Sequence, residues 1–583
     1  MILNLIHRPA TGRLRSMFDL QQQMAHSLGL KVTVLIPYDT MFEPDIVQGL
    51  LEDHSRYGDE LGIWFGEIAT DRMNEVFECR EPFLWLHTQE NKRRIIDTVL
   101  HKFSAVFGCA PRAVGSYHLD AESMRLLHKT CPEVQTCIAG CFEEGVKVFH
   151  GCNNSWYLFN EGMPWGPWYP AQNNTLRPAT DEDEWSGMVA VPHLCRDLAL
   201  SYEGRNDFFA THPANVQRAM ANDGSSAPYV FNLVDLYRYQ ERFNHGFSYI
   251  NVFVGPNWLS GSPNIQDTDA ETQKLYYDYL SYFVKLRQEG ALQDMTMSEF
   301  ALWYKRNVPV GAAQIYDAKE ILYGGGKEYF WSISPQMRLT LDLCQGGSIG
   351  DLRPFVSQIP RCTGADTSVG VMGSNPYLIH SQYRTGNAHH YSDGSRTTLL
   401  VGCGNETLDL ANTPLRLEKI QRRDDAIFLQ LSSARLSFSN GISAEIQTSY
   451  EISGAKLRIH RTLHTVSDAA QRLRLTEYVK GCWGVTEYPE SLKGVILTVQ
   501  NGQGKKDSLE FSYLGRTRQF AEATSAAVYI PTLQTELALT TDLPCAASIV
   551  EGYLFNPYYT LSVSREFEQG EEITTCLSIR KQL

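Results

Sequence analysis

The fold class this sequence predicts is α/β, a barrel of strand and helix units followed by an all-β sandwich, and three observations predict it. Short apolar runs alternate with helical patterns over roughly the first 310 residues. Past residue 315 the texture changes to short alternating runs separated by turn residues, the pattern of antiparallel sheets. The length, 583 residues, exceeds what one core fills, so two to four domains are expected. An open doubly wound sheet also fits the alternation, but no G-x-G-x-x-G follows the first strand, which disfavours its dinucleotide-binding form. The domain limits read from these features are 1–315 and 316–583.

Ile2–Ile6 reads as a first buried strand leading to His7-Arg8-Pro9, and Leu14–Leu28 carries helical apolar spacing until Gly29 stops it. Lys31–Ile36 is a second strand ending at Tyr38-Asp39, with Pro44-Asp45 marking the next helix start. Leu61–Phe65 is a third, ending at Gly66-Glu67. An aromatic stretch with Phe83, Trp85 and His87 then precedes a helix over Lys92–Phe107. The fourth strand runs into Gly115-Ser116-Tyr117-His118, and a helix starts at once behind Asp120, which is placed to cap it. Val134–Ile138, Val189–Pro192 and Tyr249–Val254 complete the strands. The last two lead to His193 with Arg196-Asp197 and to Gly255-Pro256-Asn257-Trp258. Ala270–Glu289 and Ser298–Arg306 are the final helices of the series.

Residues 140–188 show no regular pattern but hold Trp156, Trp165, Trp168 and Trp185. Those tryptophans argue against disorder, so the stretch reads as a wall or lid of a pocket. In the second half, Thr397–Val401, Ala426–Leu431, Ala434–Phe438, Ala444–Tyr450, Lys456–Leu463 and Leu473–Tyr478 are the clearest strands.

Charge and composition exclude several classes. A formal net charge of −14 without a basic run argues against nucleic acid as partner, since phosphate backbones need dense Lys and Arg. No apolar segment approaches a membrane span. The start Met1–Ile6 lacks a basic region and a cleavage site, so a cytoplasmic location is the expectation. Thirteen Cys, an odd number spread over the chain, read as free thiols rather than a disulfide framework. Ten Trp and 29 Tyr suit sugar faces, although large cores use them equally. Oligomeric state is not legible.

Two passages carry a resemblance. Asp59-Glu60-Leu61-Gly62-Ile63-Trp64-Phe65-Gly66-Glu67-Ile68 is similar to the H-E-I-G-x-H-x-x-x-H strand of the polysaccharide deacetylase superfamily. Phe107-Gly108-Cys109-Ala110-Pro111-Arg112, followed by G-S-Y-H-L-D, is similar to that family's F-G-x-x-P-x-x-F-R-P-P-Y-G stretch. The chain looks like a bacterial branch with the signature V-G-S-x-x-x-D joined to a β-sandwich. The resemblance implies a distorted (β/α)7 barrel, and a weaker one implies a galactose-mutarotase-like sandwich behind it. It does not carry over the metal: the family's two His positions fall on Trp64 and Ile68, its first-strand Asp on His7-Arg8-Pro9, and no T-F-D-D element occurs.

What stands at the strand ends is a set of carboxylates, and glycosidic cleavage needs two, one to protonate the leaving oxygen and one to attack or activate water. The expected function is a glycoside hydrolase acting on oligosaccharides or small glycosides, with Glu67, Asp120 and Asp197 as catalytic candidates. Glu67, after an apolar strand, is read as a desolvated acid and Asp120 as nucleophile or base. His7, Arg8, Asp39, Trp64, Trp85, Tyr117, His118, Trp165, Trp168 and Trp258 are the substrate-binding candidates. No cofactor is expected. A divalent metal near His7, His118 and Asp120 is the weaker possibility, because sequence separation says nothing about convergence. The alternatives are a deacetylase-like enzyme with a rebuilt metal site and a non-catalytic carbohydrate-binding protein.

Overall fold

The computed structural model of the chain describes residues 1–116, 119–140, 164–193, 195, 197–203, 226–260, 269–320, 325–355, 377–381, 395–423, 425–468, 470–483, 493–553 and 556–581. Two compact units divide the chain. One is built on Met1–Gln314, the other on Ile315–Lys319, Gly326–Pro360 and Asn375–Leu583.

The first unit is a nearly closed parallel barrel. Its strands are β1 (Ile2–His7), β2 (Val32–Pro37), β3 (Glu60–Trp64), β4 (Ala113–Gly115), β5 (Thr136–Gly140), then, after a hairpin of β6 (Pro170–Ala171) and β7 (Asn174–Pro178), β8 (Val189–Pro192) and β9 (Tyr249–Val252); a short β10 (Gln293–Asp294) follows. They pair in the order β9-β1-β2-β3-β4-β5-β8, all parallel, with β10 added to the first residues of β1. Every residue of β1, β8 and β9 is buried. Helices cover such a sheet on one side and the barrel interior fills the other, which is why these strands read as continuous apolar runs. Helix ends obey local chemistry. Pro44 opens the helix Pro44–Tyr57, and Gly58 closes it in the left-handed conformation at φ 80°. The helix Met297–Asn307 starts with a capping box between Thr296 and Glu299.

The seam between β8 and β9 is bridged by a side chain: Asn251 Nδ2 donates to the Pro192 carbonyl at 2.5 Å. The edge of β8 away from β5 is also covered, since Trp168 and Ala190 exchange backbone hydrogen bonds of 3.0 and 2.9 Å. The expectation of an irregular wall over 140–188 is therefore corrected for its described part. Residues 164–188 form a small hairpin-containing segment packed on β8, and residues 141–163 lie outside the described residues.

The second unit is antiparallel throughout its described ladders. One five-stranded sheet comprises Gln314–Lys319, Glu328–Ile333, Met337–Asp342, Ser348–Pro354 and Ile379–His380; a fourteen-stranded sheet holds the rest. In Ser443–Ser453 buried and half-buried residues alternate at period two, the signature that made these strands legible. Within the five-stranded sheet, Asp351 is bracketed by Arg353 at 3.0 Å, Arg338 at 3.4 Å and His380 at 3.4 Å, all buried. Burial alone would raise the Asp351 carboxyl. Arg353, His380 and Arg338 outweigh it and hold the carboxyl well below the usual range.

Candidate active site at the barrel mouth

Four strand ends converge on one ring. Trp64, the last residue of β3, meets Phe253 beyond β9 at 5.3 Å edge to face and His193 beyond β8 at 5.7 Å, while His193 and Phe253 stand 4.8 Å apart. Arg8, just past β1, lays its guanidinium over the same indole at 5.3 Å. In the strand order β3 lies opposite β8 and β9, so this ring reaches across the interior and closes the barrel beneath its mouth.

The glycines around β3 and β4 exist to make that room. A Cβ on Gly66 would lie 2.3 Å from the Trp64 ring, and one on Gly115 would lie 2.9 Å from it and 2.8 Å from Leu35. The Gly of the V-G-S signature is thus a space-making residue beside the indole.

Glu67 sits above this plug. Its Oε2 is 3.9 Å from Arg8, and its side chain is 63% exposed. The exposure removes the desolvation on which its reading as an acid rested. The carboxylate is accessible from the mouth, as a base or nucleophile must be. Asp197, four residues past His193 and immediately before the helix Leu198–Glu203, is buried. Asp39 is half-buried and accepts a hydrogen bond from Thr70 at 2.6 Å.

Asp120 has a different environment from the one an acid–base residue needs. It is the N-cap of the helix Ala121–Thr130, accepting from the amides of Glu122 and Ser123 at 3.1 Å each. Lys92 Nζ donates to the same oxygen at 2.9 Å, and the Ser123 hydroxyl donates to the other. Lysine and aspartate are both fully buried. These contacts fasten the helix Gln89–Phe107 to the helix that follows β4.

His7 also departs from its expected place. Strand alternation sends it away from the mouth that Arg8 faces, into the helix layer, where Nδ1 contacts Gln22 and Nε2 contacts the Tyr276 hydroxyl at 2.9 Å. Burial pushes this imidazole down to about 4, against the opposing contact with Gln22. His7 and Asp120 engage separate helix pairs, so the metal set of His7, His118 and Asp120 is not assembled by the described residues. Nor do the deacetylase ligand positions fit a metal: Trp64 and Ile68 are buried side chains without a ligating atom.

The tryptophans divide in the same way. Trp64, Trp85, Trp165 and Trp168 are each at most 2% exposed. Trp85 packs on Phe83, and Trp168 Nε1 donates to the Thr175 carbonyl at 2.8 Å. They are packing residues here, not stacking platforms, because long aromatic side chains near strand ends serve cores as readily as ligands. Trp258 lies in the short helix Pro256–Leu259. Its side chain, Tyr117, His118 and Arg196 fall outside the described residues. Sequence reasoning gave no role to His193 or Phe253, since a lone imidazole and a lone phenyl after strands carry no spacing signal.

No curated protein matches the chain. The family described as a domain of unknown function with a solved structure, DUF3863, matches residues 36–319. Among solved structures, a galactose mutarotase-like protein from Clostridium acetobutylicum has a TM-score of 0.31 at 9% identity, over 46% of this chain and 97% of its own. The 4-alpha-glucanotransferase from Thermococcus litoralis has 0.29 at 9%, over 99% of each chain. A protein described as a polysaccharide deacetylase from Mycobacterium smegmatis has 0.30 at 10%, over 53% of this chain and 93% of its own. At such scores none of the three assigns an activity to the chain.

Proposed function

We propose that this protein is a carbohydrate-active hydrolase that cleaves glycosidic bonds of small oligosaccharides or glycosides at the barrel mouth. The observation that carries the reading is the placement of Glu67: an accessible carboxylate beside the Arg8 guanidinium, above the Trp64 ring where four strand ends converge. Glu67 acts as nucleophile or base, and Asp197 at the exit of β8 is the second carboxylate, the proton donor to the leaving oxygen. Arg8 orients Glu67 and hydroxyls of the substrate. Asp120 is a positioning residue that holds the loop after β4.

A panel of aryl glycosides tested on the full chain checks this. Turnover of at least one glycoside is expected, with Glu67→Gln and Asp197→Asn each lowering it by about a hundredfold or more while circular dichroism stays unchanged. Turnover within a few-fold of the parent in Glu67→Gln removes that residue. Release of acetate from acetylated sugars, with no glycoside turned over, would favour the deacetylase-like alternative.

A further inference from the structure

A second cluster lies in the helix layer of the first unit, between the helices Arg15–Ser27 and Pro44–Tyr57. His26 comes from the first helix, Asp53 from the second, and Asp59 from the residue ahead of β3. One donor atom from each lies within 4.8 Å of the other two. His26 Nε2 is 3.0 and 3.1 Å from the Asp59 oxygens, and its Nδ1 is 3.9 Å from Asp53 Oδ1. Gln22 Nε2 donates to Asp59 Oδ2 at 2.8 Å and to Asp53 Oδ2 at 3.3 Å, fixing both carboxylates. The imidazole is stacked on Tyr57 at 3.8 Å, which fixes its plane.

Charge does not balance among these side chains. Asp59 is 1% exposed, and among the described residues the ion-pair partner of both aspartates is His26. Arg56 turns onto the Tyr57 ring, and Arg15 turns to Asp19 and Asp45. At most one positive charge, on the imidazole, faces two carboxylates, of which Asp59 is buried and Asp53 is 28% exposed. Buried charges are paired or coordinate metals. A cavity of about 460 Å³, bordered by Phe18, His26, Asp53 and Tyr57, gives access from solvent and room for water ligands.

We propose that His26, Asp53 and Asp59 form a binding site for a first-row divalent cation of the zinc class, separate from the barrel mouth. One imidazole and two carboxylates are a donor set that zinc accepts, and metal–ligand bonds of about 2.0–2.2 Å place neighbouring donors roughly 3 to 3.5 Å apart, close to the His26–Asp59 spacing. Gln22 supplies the outer hydrogen bonds that orient the ligands. The bound ion ties two helices to the start of β3.

The test is calorimetric titration of the chelator-treated full chain with zinc chloride, comparing the parent with Asp53→Asn, His26→Gln and Glu52→Gln. Glu52 borders the same cavity but is not a donor. A site present in the parent and in Glu52→Gln, and weakened at least about tenfold in the other two, is expected. The melting midpoint should rise with zinc in the first pair alone. Cobalt(II) bound at this site should show weak visible bands without thiolate charge transfer. Equal zinc affinity in the parent and Asp53→Asn, or a parent without any such site, overturns the proposal.

Discussion

Replacing Asp120 by asparagine separates a positioning residue from a reacting one. The asparagine keeps a capping oxygen for the helix Ala121–Thr130 but removes the negative charge to which the buried Lys92 ammonium donates at 2.9 Å. Breaking a buried ion pair from one side costs about 3 to 5 kcal/mol, because an uncompensated charge remains. Replacing both partners, as in Lys92→Met with Asp120→Asn, removes that charge and should restore most of the loss. Asp120→Ala adds the loss of the cap, about 1 kcal/mol. Hydrogen exchange of peptides from Gln89–Phe107 and Ala121–Thr130 reads this locally. Asp120→Asn should accelerate their slowest amides by about 10² to 10⁴-fold, and the double variant should recover most of that protection. The reasoning is refuted if exchange in Asp120→Asn stays within about tenfold of the parent while turnover falls by orders of magnitude. Asp120 would then be a reacting group.

Four further outcomes follow from the same geometry. His7, pushed down to about 4 by burial, is neutral in the fold where an unfolded chain would take a proton near 6.5. Its contribution is present above that value and is lost as pH falls towards 4, about 3 kcal/mol in all, so urea midpoints at pH 7.5 and 4.5 should differ more in the parent than in His7→Gln. Gly66→Ala should displace the Trp64 ring, whose atoms lie 2.3 Å from the new Cβ, and shift tryptophan emission. Gly49→Ala, with nothing within 4 Å inside the helix Pro44–Tyr57, should stabilise by up to about 1 kcal/mol. In the second unit, Glu477 receives two hydrogen bonds from the buried Arg461, at 3.0 and 3.2 Å. Arg461→Met should cost about 3 to 5 kcal/mol in denaturant unfolding, and Arg461→Met with Glu477→Leu much less.

An α/β first half and a strand-rich second half were legible because their signals are local and periodic. Val189–Pro192 and Ala426–Leu431 were bounded to the residue, but Leu473–Tyr478 stopped four short of the strand Leu473–Cys482, and the strands within 314–380 and 496–581 were not read. Continuous apolar runs in the barrel and period-two alternation in the second unit both follow from which faces are buried. The helix cap at Asp120 was also legible, since capping needs only its own neighbours. What surrounds a side chain was not. Only the tertiary structure gave Asp120 its lysine from 28 residues upstream, turned His7 into the helix layer while Arg8 faced the mouth, and brought Trp64 against His193 and Phe253. The cluster of His26, Asp53 and Asp59 was hidden for the same reason. Its members sit on two helices and a strand start, where each reads alone as a solvated polar residue, and their charges meet only when the helices pack.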